Sequence, residues 1–170
     1  MPVLETRRLA LDEFTTDDAA FILELLNEEP FVRHIGDKGV RTRAGACQYI
    51  TDGPVASYER FGFGLYRVTL KESGEPIGMC GLLKRDALED ADVGFAFLER
   101  YWLKGYAFES ASAVLAYARQ ELGLARILAI TSPDNTASIG LLGKLGFAFE
   151  RMDRLAGDEP EVKVFASVVS

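Results

Sequence analysis

One segment combines residue types that could bind a charged ligand: Asp92-Val93-Gly94-Phe95-Ala96-Phe97-Leu98-Glu99-Arg100-Tyr101-Trp102-Leu103-Lys104-Gly105-Tyr106-Ala107. It reads as a strand that ends, a basic loop, and a long helix that opens at a glycine. The first turn of a helix carries backbone N–H groups with no partner inside the helix, at the positive end of its dipole. Such a turn binds anions, and Gly105 leaves room for a diphosphate to reach the backbone because it has no Cβ. A strand–loop–helix turn with one glycine is also an ordinary connection, so this segment alone leaves both readings open.

Other chemistries find little support. Gly62-Phe63-Gly64 opens like a dinucleotide fingerprint but lacks the third glycine and runs into a strand. Neither a Walker-type phosphate loop nor a G-x-S-x-G nucleophile elbow is present. His34 is the only histidine, and with Cys47 and Cys80 it makes too small a set for a Cys/His metal site, so no metal is expected. A structural or pocket-lining role suits His34. Cys80, in mid-strand between Met79 and Gly81, reads as a buried, inert thiol.

The formal charge of −7, from 26 acidic and 19 basic residues, opposes attraction to nucleic acid phosphates and favours cationic partners. An anionic ligand must therefore be held by a local device. With 48% hydrophobic and 26% charged residues in 170, the composition is that of one globular domain spanning 1–170. The first residues lack the apolar stretch of a signal peptide, and no apolar run reaches the roughly 20 residues of a membrane helix. The expected location is the cytoplasm, with no membrane partner.

A second segment, Asn135-Thr136-Ala137-Ser138-Ile139-Gly140-Leu141-Leu142-Gly143-Lys144-Leu145-Gly146-Phe147, lies about thirty residues beyond the first. Taken alone, it is a helix capped by Asn135 and ended by Gly146. Paired with the first segment, it resembles the GCN5-related N-acetyltransferase (GNAT) superfamily over nearly the whole chain. The acetyl-CoA loop of that family, [QR]-x-x-G-x-[GA], is matched by Trp102-Leu103-Lys104-Gly105-Tyr106-Ala107, with Trp102 in place of the Gln or Arg. The helix resembles N-x-x-S-x-x-x-x-x-K-x-G-F through Asn135, Ser138, Lys144, Gly146 and Phe147. The Tyr-Trp before the loop and the opening Glu5-Thr6-Arg7-Arg8-Leu9 are similar to the branch of ribosomal-protein N-terminal acetyltransferases, the RimJ/RimL type. Leu103 stands where that branch often has a glycine.

The resemblance implies an acetyl-CoA-dependent enzyme that transfers acetyl directly to a primary amine through a tetrahedral intermediate. The acceptor would be a protein or peptide N-terminus. A small-molecule acceptor (polyamine, amino acid or antibiotic amine) and a non-catalytic acyl-CoA-binding or regulatory module are the alternatives, and the chain would act as a monomer or homodimer. Pantetheine would pair with the splayed strand Phe95, Ala96, Phe97 and Leu98, and Asn135 would hydrogen-bond its arm. The loop from Trp102 to Ala107 would hold the diphosphate, with Arg100 restoring a positive charge. Leu142 occupies the position where many members carry an acid tyrosine. Ser138 is then either the donor to the CoA sulfur or an ordinary residue of the first helical turn. Asp92 is either a base near the amine, acting directly or through water, or a solvated strand-end carboxylate.

These residues need a frame. Leu9 and Leu11 alternate with polar neighbours as a first strand, and Thr15-Thr16-Asp17-Asp18 caps a helix Ala19–Asn27 that Pro30 closes. Thr42 caps a second helix reaching about Tyr58. Phe63–Lys71, Pro76–Lys84 and Asp92–Leu98 read as an antiparallel meander. Trp102–Leu122 is a long helix with Gly123 at its C-cap, and Arg126–Thr131 is a strand. The helix Asn135–Leu145 follows, then strands Phe147–Leu155 and Glu161–Val169 about the turn Gly157-Asp158-Glu159-Pro160. The expected architecture is α/β (α+β): one mixed, mostly antiparallel sheet flanked by helices, in the order β-α-α-β-β-β-α-β-α-β-β.

Overall fold

In the computed structural model, which describes residues 1–168, the alternation at Leu9 and Leu11 is a strand with both leucines fully buried. This strand, β2 (Leu9–Glu13), is preceded by a two-residue strand β1 (Leu4–Glu5) too short to leave a periodic signal. The sheet holds eight strands in the order β1-β2-β3-β4-β5-β6-β8-β7. The meander is β3 (Leu65–Leu70), β4 (Pro76–Leu83) and β5 (Asp92–Phe97), paired antiparallel as the hairpin connections predict. The remaining strands are β6 (Arg126–Thr131), β7 (Ala148–Asp153) and β8 (Val162–Val168). β8 inserts between β6 and β7, antiparallel to both. Val169, expected in the last strand, lies outside the described residues.

The helical regions depart from expectation at two prolines. After α1 (Ala19–Leu26), Pro30 does not close a helix but sits in the first turn of the next, α2 (Glu29–His34), where its missing N–H leaves no bond unmade. The expected long second helix is α3 (Arg43–Ile50), a π-helical turn over Thr51–Val55, and α4 (Ala56–Phe61). Pro54 inside that turn cannot donate to the carbonyl four residues back, so the helix widens there. Thr42 does cap α3, accepting the Gly45 N–H at 3.0 Å.

Helix α5 spans Tyr106–Gln120 and α6 spans Thr136–Lys144. Both lie on one face of the sheet: Ala111, Val114, Leu115, Ala118 and Leu142 share a core with Val68, Leu82, Val93 and Ile127. The other face carries α1, α2 and α3, whose Ile22, Leu25, Phe31 and Ile50 pack with Leu65, Met79 and Leu98. Burying these side chains at about 1.5–3 kcal/mol each makes the two cores the main source of stability.

The central strands β3 and β4 approach closely enough to demand glycine at position 81. A Cβ on Gly81 would lie 2.8 Å from Leu65 Cα and would run into the Gly64 carbonyl oxygen. Both obstacles are backbone. Gly81→Ala is therefore expected to cost about 2–3 kcal/mol, read as a lowered urea midpoint. A wild-type midpoint would mean that β3 and β4 separate there without strain.

Candidate active site

The parallel contact between β5 and β6 consists of one pair, Asp92 with Leu128, with the Leu128 N–H donating to Ala91 O at 2.9 Å. Both strands continue, but the described residues form no further ladder between them. Leu98 N–H donates to Ile77 O at 2.9 Å, so by the alternation of an antiparallel ladder Gly94 and Ala96 also turn their backbone groups toward β4. Val93, Phe95 and Phe97 turn theirs toward β6. The Phe97 carbonyl is taken by Trp102 Nε1 at 2.9 Å. The N–H and C=O of Phe95 thus face the gap, a strand edge open to an extended ligand.

The loop that leaves this edge is tightly held. Leu98 is fully buried, and Glu99 N–H donates to Glu28 Oε1 at 2.9 Å. Arg100, expected beside a diphosphate, directs its two terminal nitrogens to Glu24 at 2.9 Å and Glu75 at 3.3 Å. Its charge is matched by these two carboxylates. Trp102 anchors the turn to the strand it has just left. The expected helix at Trp102 begins four residues later instead, because Trp102 is extended while Leu103 (φ 63°) and Gly105 (φ 84°) are left-handed. Leu103 therefore adopts the conformation a glycine favours, with its side chain entirely in solvent.

At the start of α5 the N–H groups of Tyr106, Ala107 and Phe108 have no helical acceptor, and the Gly105 carbonyl takes Glu109 N–H at 3.0 Å. Glu109, an acid in the first turn, is fully engaged by the N-terminal segment. It accepts from Thr6 Oγ1, from Arg8 N at 2.9 Å and from Arg8 Nε at 2.7 Å. Burial pushes the Glu109 carboxyl up, and these three hydrogen bonds together with the Arg8 charge outweigh it, holding the group below the usual carboxylate range. Arg8 also donates from Nη1 to Lys104 O at 3.1 Å and lies 4.5 Å over the Tyr106 ring. Nothing in the local pattern announces this clamp, although Thr6 and Arg8 belong to the quoted N-terminal motif.

On the other side of the gap, Asn135 caps α6, its Oδ1 accepting Ser138 N–H at 3.2 Å. The Ser138 hydroxyl, half-buried, has no hydrogen-bond partner among the described residues. Thr131 Oγ1, at the end of β6, is buried and also unpartnered. Leu142 is buried in the core. His34 Nδ1 lies 3.2 Å from Ser132 Oγ and 3.9 Å from Asp134 Oδ1, joining α2 to the β6–α6 turn.

Asp92, at the closed end of the gap, is only 1% exposed, so it is not a solvated strand-end carboxylate. Arg85 Nε donates to its Oδ1 at 3.0 Å, while Oδ2 is buried without a partner. Burial raises its carboxyl above the ordinary value, and Arg85 opposes that shift without cancelling it. Cys80 is fully buried and its thiol is pushed up to about 12 by desolvation, which removes it as a nucleophile. Cys47 is half-buried on α3. Two clefts near α3, of about 460 Å³ and about 290 Å³, share Tyr49 and Asp52. Neither is lined by a residue of the 98–107 loop. Among the described residues no cluster of His, Cys, Asp or Glu could hold a metal ion, and no helix is long and apolar enough to cross a membrane.

The left-handed Leu103 yields a test of the loop. A left-handed L-residue costs roughly 1–2 kcal/mol, and the greater unfolded freedom of glycine offsets about 0.5–1 of that. Leu103→Gly should therefore leave stability equal or raise it by up to ~1 kcal/mol, measured by urea unfolding. A clear loss would show that the exposed leucine is held by contacts.

The geometry has counterparts among known proteins. Residues 8–148 match the family described as Acetyltransferase (GNAT) domain. The uncharacterised N-acetyltransferase YoaA of Bacillus subtilis (strain 168) is 32% identical over 151 residues, covering 88% of this chain and 84% of its own. A crystal structure of RimL, a ribosomal alpha-N-protein acetyltransferase, in complex with coenzyme A superposes with a TM-score of 0.84 at 16% identity, covering 99% of this chain and 98% of that one. The microcin C7 self-immunity acetyltransferase MccE, in complex with acetyl-CoA and AMP, gives 0.79 at 14% identity, covering 96% and 94%. With the family match spanning most of the chain, and an open strand edge leading into a glycine turn at the start of α5, the protein belongs to the GNAT family of N-acetyltransferases.

Proposed function

We propose that this enzyme uses acetyl-CoA to acetylate the α-amine of a peptide or protein N-terminus. The observation that carries the acetyl-CoA half is the interrupted β5–β6 ladder, whose open edge at Phe95 runs into the glycine turn of Gly105. The residues present fit such a ligand. Phe95 offers a backbone donor and acceptor of the kind an extended amide chain pairs with, and Thr131 Oγ1 is a buried polar atom still without a partner. At Gly105, a Cβ would fill the space 3.2 Å from Arg8 Nη2. When bound, acetyl-CoA supplies an activated thioester.

The chain's own groups then divide the remaining work. The N–H groups of Tyr106 and Ala107 hold the diphosphate, and Asn135 presents its amide nitrogen to the pantetheine arm while its oxygen caps α6. Ser138, with its hydroxyl unengaged by protein, donates a hydrogen bond to the departing sulfur. Asp92 accepts the proton of the incoming ammonium, directly or through water. Its raised pKa brings it nearer the working pH, where a general base is most effective. Transfer is direct, since the Cys80 thiol, pushed up to about 12 by burial, supplies no thiolate to attack the thioester. The likeness in fold to RimL supports an N-terminal acceptor.

The acceptor is tested by release of free CoA from acetyl-CoA across a peptide panel. An α-amine titrates near 7.7–8.0 and a lysine side chain near 10.4, so the α-amine supplies far more neutral nucleophile at pH 7. Peptides with free N-termini should therefore outperform Nα-blocked lysine peptides, with rates rising as pH climbs through the pKa of the amine. Equal or better rates on the blocked peptides would remove the N-terminal assignment and leave the acetyl-CoA chemistry standing. Ser138→Ala should lower kcat by about 10²–10⁴ with CoA affinity nearly intact. Wild-type turnover would reduce Ser138 to a helix residue.

A further inference from the structure

An acidic chain that binds a polyanion needs a cation at the point of contact, and the cations around the 98–107 loop can be compared one by one. Arg100 is spent on Glu24 and Glu75. Lys104 projects an exposed, flexible side chain from the turn. Trp102 carries no charge, and its only donor is committed to Phe97 O. Arg8 differs from both of these cations. Its Nε is bonded to Glu109 Oε1 at 2.7 Å, its Nη1 to Lys104 O at 3.1 Å, and its plane rests 4.5 Å from the centre of the Tyr106 ring. Nη2 remains, with no hydrogen-bond partner among the described residues, 3.2 Å from where a Cβ of Gly105 would stand.

We infer that Arg8 is a phosphate-binding residue, its Nη2 donating to the diphosphate held over the Gly105 turn. This inference rests on the acetyl-CoA reading above. The guanidinium is fixed by three protein contacts before any ligand arrives, so little rotamer freedom is lost on binding. The same contacts settle a conflict at the turn. Glu109 sits in the first turn of α5, where an anion is to be held, and an unmatched carboxylate there would repel it. Arg8 neutralises Glu109 through Nε while presenting its remaining edge outward. Because its side chain is 40% exposed, that edge is reachable from solvent. The N-terminal segment thereby joins the binding site, carried to it by the β1–β2 connection that also places Thr6 on Glu109.

Isothermal titration with CoA, and with S-acetylpantetheine as a ligand lacking phosphates, separates this role from its rivals. Arg8→Gln should weaken CoA about 10- to 100-fold, the range expected for one charge-assisted hydrogen bond, and reduce the sensitivity of CoA binding to salt. Affinity for S-acetylpantetheine should not change. The double variant Arg8→Gln/Glu109→Gln should stay weak. Recovery of CoA affinity in that double variant would overturn the proposal, since Arg8 would then serve only to neutralise Glu109. An equal loss for S-acetylpantetheine would also overturn it, pointing to a disturbed loop. Should Arg8→Gln fail to unfold cooperatively, Arg8→Lys is read instead: it keeps the charge but loses the fork, and wild-type CoA affinity in it would overturn the assignment. Wild-type protein that binds no CoA would instead remove the acetyl-CoA reading itself.

Discussion

The site depends on one hydrogen-bonded step that is not continued. Asp92 and Leu128 pair, and after them β5 and β6 part. Had the ladder run on, the backbone of Phe95 would be consumed by β6 and the fold would offer no edge. Each strand is paired along its other edge: β5 with β4 along its length, β6 with β8 from Arg126 to Thr131. Both faces beside the gap are buried, with Val93 and Ile127 under α5 and Ala96 and Leu98 against the α1–α3 layer.

Charge is handled locally throughout this region. The chain carries a net −7, yet four acids of this region are matched by cations at short range: Glu109 by Arg8, Asp92 by Arg85, Glu24 and Glu75 by Arg100. Pairs this close keep their effect where the averaged field of the surface would be screened within about 10 Å. The partly buried pair at Asp92 is the most consequential, because Arg85 opposes the upward shift that burial imposes on a carboxyl only 1% exposed. One of its oxygens is still left over.

The parts of this arrangement that were legible in the sequence are those whose signal is local. The strand at Asp92–Phe97, the glycine at the start of α5 and the Asn135 cap each depend on neighbours within a few residues, and each stands where its pattern places it. The meander followed from two short polar connections. What escaped is non-local or set by geometry that residue type does not encode. The Arg8–Glu109 pair spans 101 positions, and the insertion of β8 beside β6 is a choice among topologies that alternation cannot make. The burial of Asp92 under Arg85 depends on how the 84–91 connection folds over the strand end. Pro30 reads as a helix stop, yet proline is accepted in a first turn, and Pro54 falls inside the single helix expected from Thr42 to about Tyr58, which widens around it.

The placement of β8 also bears on the order in which the wall of the cleft can assemble. β6 leaves α5 with one ladder pair to β5, too little to hold a strand in place alone. Its other edge is completed only when the chain has passed through α6 and β7 and returned. Leu128 and Ala166 are neighbours across that seam although 38 residues separate them. Contacts of such separation carry the entropy of closing the intervening loop, so they form late relative to the β3–β4–β5 meander. The half of the molecule that carries the glycine turn can therefore take shape first, and the groove acquires its second side only as the last hairpin docks.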